Sequence, residues 1–166
     1  MRMKIRLAET KDQPELVELI AKYRQVLAQL RNKVVQYDPE SAQKELADYQ
    51  RKDFPICIAE TDQEKVIGYL VCRIDDTVVW AESLYVLPEY RRQGIGSALY
   101  NKAESLAEDL GNDTLYNWVD PTNDRIIGFL HKRGYNVLNL IELRRARPGE
   151  EMTGKIQVGA NEFDHY

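Results

Sequence analysis

The stretch that most constrains this chain is "TVVWAESLYVLPEYRRQGIGSALYNKAESLAEDLG", residues 77–111. Its β-branched and aromatic first part predicts a long strand ended by Pro88. Beyond Gly96, the residues Ala98, Leu99, Ala103, Leu106, Ala107 and Leu110 recur at helical spacing, and Gly111 stops the helix. The joint between them reads Arg91-Arg92-Gln93-Gly94-Ile95-Gly96. A helix opens with backbone N–H groups that have no partner inside it, and the macrodipole adds positive charge there. Glycines let an anion approach the main chain, and arginines add charge without a metal. The segment therefore predicts a phosphate or pyrophosphate site at a strand-to-helix turn.

Three phosphate-binding patterns compete for it. A Walker loop needs G-x-x-x-x-G-K-[ST], which the chain lacks. A dinucleotide fingerprint needs a further Gly or Ala where Leu99 stands, and an acidic residue after the next strand. The third, [RQ]-x-x-G-x-[GA] after a long strand, is met by Arg91, Gly94 and Gly96. A solvated arginine pair after a proline turn is the bland alternative for Arg91 and Arg92. Two glycines opening a helix would be a costly way to make only that.

Around this segment the chain alternates strand and helix patterns. "MKIRLAE" reads as a strand. The next helix has Asp12 as N-cap, Pro14 in its first turn, and Leu16, Leu19, Ile20, Tyr23, Leu27 and Leu30 on one face. "DPESAQKELADYQRK" opens a polar second helix. "FPICIAET" and "KVIGYLVCRID" are strands joined by a polar turn, and Asp75-Asp76 form a second turn. After residue 111, "TLYNWVD" reads as a strand, "TNDRIIGFLHKR" as a short helix ended by Gly134, and "YNVLNLIELRR" as a strand. The order is β-α-α-β-β-β-α-β-α-β: an α/β (α+β mixed) fold, a central mixed β-sheet flanked by helices, in one domain over 1–147. Residues 148–166 form a polar C-terminal tail in which "KIQV" could add one strand; the tail could lie on the same sheet, pair with a second subunit in a homodimer or cover the acceptor site.

A formal charge of −4 excludes a general nucleic-acid binder. No apolar run is long enough for a membrane span, and the N-terminus has no signal-peptide core, which points to the cytoplasm. Cys57 and Cys72 lack metal-ligand spacing and read as buried free thiols, and with two histidines no metal is expected.

The [RQ]-x-x-G-x-[GA] turn resembles the pyrophosphate-binding turn of the GNAT acetyltransferases. "ESLYVLPEYRRQGIGSALYNKAESLAEDLG" is similar to that family's acetyl-CoA segment, and "NWVDPTNDRIIGFLHKRGYNVLNLIELRR" to the segment after it. The likeness spans about residues 3–147, most strongly about 80–136. It implies an N-acetyltransferase that passes the acetyl group of acetyl-CoA directly to a primary amine. It further implies that the cofactor wedges between splayed strands "WAESLYVL" and "TLYNWVD". Leu84, Tyr85 and Val86 would run beside the pantetheine arm. Arg91, Arg92, Gln93, Gly94, Ile95, Gly96 and Ser97 would hold the pyrophosphate, and Asn123 and Arg125 would touch the far end of the arm.

Glu82, matching a Glu of the spermidine/spermine-type members, is the candidate base; by alternation it shares a face with Trp80, Leu84 and Val86. A strand bulge near Tyr85 or Val86 would aim an N–H at the thioester carbonyl. One departure stands out: Leu130 occupies the place where many members carry a tyrosine acid; a thiolate of pKa ~8.5 leaves without much help, and Tyr85, Tyr116, Tyr135 or His131 could substitute. That departure leaves open a non-catalytic acyl-CoA-binding or regulatory module. An acyltransferase for longer chains is another reading. The acceptor loop "RNKVVQYDPES" mixes Arg31, Lys33, Tyr37 and Asp38 and selects no particular small-molecule or peptide amine.

Overall fold

A chain that must cover a sheet on both sides shows it first in the central strand. Every residue of β3 (Val66–Asp75) from Val66 to Cys72 is buried. Successive strand residues face opposite sides, so both faces of the sheet are covered. The computed structural model describes residues 3–30 and 33–165. β3 is the middle of a five-stranded sheet in which β1 (Met3–Leu7), β2 (Ile56–Thr61), β3, β4 (Val78–Val86) and β5 (Tyr116–Asn117) are neighbours in chain order. The first four pair antiparallel; β5 joins β4 in parallel, so the sheet is mixed.

Between β1 and β2 run α1 (Gln13–Leu30) and α2 (Pro39–Arg51), which pack on each other, with α1 against β3 and β4. α1 buries Leu16, Leu19, Ile20 and Ala21; α2 buries Ala42, Leu46 and Tyr49. Asp38 caps α2 by accepting from Ser41 N at 2.9 Å, with Pro39 in the first turn. Asp12, expected as the cap of α1, instead accepts from Glu9 N at 2.7 Å and pairs with Arg6. A two-pronged guanidinium is the stronger partner for a carboxylate. Arg31 of the expected acceptor loop lies outside the described residues.

The parallel crossover from β4 to β5 is made by α3 (Ile95–Asp109), which lies against β2, β3 and β4 and buries Ile95, Leu99, Tyr100, Ala103 and Ala107. Gly111 stops it at φ +83°, a conformation glycine adopts without strain. Cys57 and Cys72 are buried and free. β3 and β4 approach closely at Gly68, where a Cβ would lie 3.0 Å from the Tyr85 carbonyl oxygen and 3.1 Å from Val86 Cγ2. Gly68→Ala is expected to cost about 1–3 kcal/mol, read as a lower urea midpoint at unchanged slope.

Two expectations change here. "TLYNWVD" contributes only Tyr116 and Asn117 to the sheet, paired with Trp80 and Ala81. Beyond them the chain meets Pro121, which cannot donate to a ladder and pushes the preceding residue away from helix. "YNVLNLIELRR" forms no strand, and Val137, Leu138, Leu140, Ile141 and Leu143 are exposed. An apolar pattern becomes a strand only where a second strand takes its hydrogen bonds.

Contacts group Met1–Asp120 in one unit and Pro121–Tyr166 in another. The second unit holds α4 (Asp124–Lys132) and a hairpin of β6 (Gly154–Val158) and β7 (Asn161–His165). The tail thus does form strands: Lys155 to Val158 pair with β7.

Candidate functional site

The glycine turn and the strand before it supply the first half of the site. β5 pairs with β4 only at Trp80 and Ala81, so among the described residues the edge of β4 from Glu82 to Val86 has no strand on that side. That edge runs through Leu87 and a short 3-10 turn, Pro88–Tyr90, into the head of α3. There Gly94 takes φ +81° as N-cap and Arg92 takes φ +63°. The first helical bond is Ala98 N–H to the Gly94 carbonyl at 2.9 Å, so Ile95 and Gly96 direct their N–H groups out of the helix end. α3 has neither a side-chain cap nor an acidic residue in its first turn, whereas Asp38 and Asn123 cap α2 and α4. The head of α3 thus pairs free donors with a positive dipole end, a combination that suits an anion.

Of the side chains expected there, Arg92 and Gln93 are exposed, and Gln93 Nε2 reaches the Glu89 carbonyl at 3.3 Å. Arg91 turns back: its Nε donates to the Val86 carbonyl at 2.7 Å, and its guanidinium lies 5.3 Å from the Tyr85 ring centroid. It braces the end of β4 against the turn. Asn123, in the second unit, accepts from Ile126 N at 3.3 Å as the N-cap of α4, and Arg125 is exposed. Leu130 is buried, and Tyr116 stacks on Trp80 at 5.2 Å.

The second half of the site is a cavity of about 460 Å³ bounded by α1, α2, β3 and β4. Glu82 lines it because the β3–β4 register slips there: Val71 pairs with Ser83 and Cys72 with Ala81, leaving Glu82 without a partner on β3. A bulge re-aims a side chain and bends its strand. The expected bulge near Tyr85 or Val86 thus falls at Glu82, since Tyr85 and Val86 pair regularly with Tyr69 and Gly68. The slip also changes the face. Ser83 Oγ is 3.0 Å from Tyr69 Oη, and the Tyr85 ring is 5.9 Å from that of Tyr23 on α1. Glu82 therefore joins Ser83 and Tyr85 on the α1 side rather than Leu84 and Val86.

Around Glu82 the cavity is densely charged. Glu82 Oε2 accepts from Arg73 Nε at 3.1 Å, and Arg73 also pairs with Asp75. The Arg73 guanidinium lies 4.8 and 4.9 Å from the ring centroids of Trp80 and Trp118, a stack that fixes its plane. Across the cavity Arg24 holds Glu45, with Nε 2.6 Å from Oε2, and the Tyr49 hydroxyl donates to the same carboxylate. Burial, and then the hydrogen bond to Glu45, push the Tyr49 phenol well above its ordinary range, so it stays protonated. Sequence reasoning missed Arg24, Glu45, Tyr49 and Arg73. The one signal was Arg73 itself, a charge inside the apolar run "YLVCRID".

The sheet is antiparallel with one parallel edge strand, and it opens beside a glycine turn at a helix head. The pattern of the Acetyltransferase (GNAT) family matches residues 18–135, and the chain belongs to that family. A peptidyl-lysine N-acetyltransferase, YjaB of Salmonella typhimurium, is 30% identical over 89 residues, 54% of this chain and 55% of that protein. The chain spans about half the length of the curated relatives it matches. Among solved structures, the PaiA N-acetyltransferase of Thermoplasma acidophilum in complex with coenzyme A superposes with a TM-score of 0.68 at 20% identity, covering 80% of this chain and 89% of that one. AAC(6')-Iy in complex with a CoA–acetylneamine bisubstrate analogue gives 0.66 at 19% identity, covering 89% and 99%.

Proposed function

We propose that this chain transfers the acetyl group of acetyl-CoA to a primary amine by direct attack in a ternary complex. The observation that carries the reading is the continuity of the two half-sites. The unpaired edge of β4 leads into the uncapped head of α3 on one side, and the Glu82 bulge on the same strand opens into a cavity on the other. Acetyl-CoA, when bound, supplies an activated acetyl thioester. The main-chain N–H groups at Gly94, Ile95, Gly96 and Ser97 hold the pyrophosphate, with Arg92 and Gln93 beside them. The edge of β4 at Leu84, Tyr85 and Val86 receives the arm as an added strand would be received. Glu82 takes a proton from the acceptor ammonium, because an amine of pKa ~10 must lose one before it can attack. The new N–C bond forms as the C–S bond breaks, and a thiolate of pKa ~8.5 leaves without a strong acid, which tolerates Leu130 at the tyrosine position.

Thermal unfolding with and without acetyl-CoA tests this. At a hundredfold excess over Kd the ligand adds about 2.7 kcal/mol, or roughly 5–10 °C in Tm. ATP and NAD should give no comparable rise, and Gly96→Val should remove most of the shift. No rise at saturating acetyl-CoA overturns the reading. The second reading, a non-catalytic acyl-CoA-binding module, draws on buried Leu130. It predicts the same rise with no thiol released in the presence of any amine.

A further inference from the structure

The charges of the cavity beside Glu82 are not balanced. Its three carboxylates are already met: Glu45 by Arg24, Glu82 by Arg73, and Asp48 by Arg51 at 2.9 Å. Of its four cations, Arg24 and Arg73 are met and the two exposed lysines are not. Lys44 and Lys52 line the cavity with no carboxylate in ion-pair distance among the described residues. Lys52 Nζ instead lies 5.6 Å from the Phe54 ring centroid. Arg73 is bonded through Nε and Nη1, and its Nη2 is buried with no hydrogen-bond partner among the described residues. Like charges that meet no partner repel a cationic guest.

From this imbalance we infer that the amine acceptor also carries a carboxylate or comparable anionic group: a zwitterion such as an amino acid or a small peptide with a free C-terminus. Lys44 and Lys52 take its anionic end, and its amine lies toward Glu82. Polyamines and aminoglycosides, with several positive charges and no anion, are disfavoured, although one solved structural neighbour holds an acetylneamine analogue. The inference rests on the acetyltransferase reading for its orientation, since Glu82 marks the end where the amine reacts.

The test is calorimetric titration of the full chain, with CoA present, by L-phenylalanine, L-lysine and glycylglycine, each against its C-terminal amide. Spermidine and neamine serve as polycationic controls. The acids should bind at least tenfold more tightly than their amides, and in Lys44→Met/Lys52→Met that ratio should fall toward one. A variant that loses selectivity must keep its circular dichroism spectrum and unfolding midpoint to count. Equal or tighter binding of the amides or polycations overturns the inference. So does a selectivity that survives the double substitution, or binding of neither member of every pair at millimolar concentration. Thiol release from acetyl-CoA is followed in parallel. Acid-selective binding without thiol release supports the anion preference and removes the transferase reading. Thiol release with amides preferred keeps the transferase and removes this inference.

Discussion

Glu82→Gln is expected to lower kcat by about 10²–10⁴-fold, the usual contribution of a positioned general base, while the Tm rise with acetyl-CoA stays as in the parent. The side chain keeps its size and its place in the register slip, so β4 and the glycine turn are untouched. It loses the capacity to accept a proton and the charge paired with Arg73, although its amide oxygen can still accept from Arg73 Nε. Glu82 Oε2 is engaged by Arg73, while Oε1 has no protein partner among the described residues and is left for the acceptor. Glu82→Asp shortens the reach and should fall between the two. A rate equal to the parent's, in an enzyme that still binds acetyl-CoA, removes Glu82 from the base role. The remaining proton acceptor would then be water, and the pH profile of kcat/KM would follow the acceptor amine alone. A loss of both rate and cofactor response would instead assign Glu82 to the architecture of β4.

What could be read in the sequence was local. Strand, glycine turn and helix over 78–110 follow from residues adjacent in the chain, so spacing alone located Gly94 and the α3 apolar face. The β-α-α-β-β-β-α-β start of the fold was legible for the same reason, since each element carries its own period and its own stops. The position of Glu82 within its strand was legible, but the direction it faces was not. Alternation assigns a face only while the cross-strand register is unbroken, and the slip opposite Val71 and Cys72 is a property of two strands. The charged wall of the cavity was hidden by distance. Arg24, Glu45, Tyr49 and Arg73 come from α1, α2 and β3, and none forms a motif with a neighbour in the chain. The segment 135–145 failed in the opposite way: its composition suits a strand, but composition does not supply the partner that a ladder needs.

Arg6→Met is expected to destabilise the fold by about 3–5 kcal/mol, because it removes the guanidinium that two buried carboxylates share. Arg6 on β1 donates to both oxygens of Asp12, at 2.7 and 2.9 Å, and to Glu60 Oε2 from Nε at 2.8 Å. Asp12 is 3% exposed and Glu60 6%, so neither can turn to water in place of the guanidinium. The fork ties β1, the turn that leads into α1, and β2 at one point. Arg6→Lys keeps the charge but not the planar fork, and should cost less. The loss has a pH signature with a definite sign. Hydrogen bonds from Arg6, first among the causes, hold both carboxyls below their ordinary values. Their contribution is therefore full above the unfolded values of about 4 and is lost as pH falls through the lower folded values. In Arg6→Met Asp12 is desolvated without its guanidinium and Glu60 keeps, among the described residues, only the exposed Lys4, 3.7 Å from Oε1, so burial raises both carboxyls, and acid relieves the variant by neutralising them. Urea unfolding at pH 7 and at about pH 4 should show the gap between parent and variant shrinking on acidification. A gap of the same size at both pH values would assign the loss to the packing of the Arg6 stem, and the fork would then be a steric strut rather than an electrostatic one.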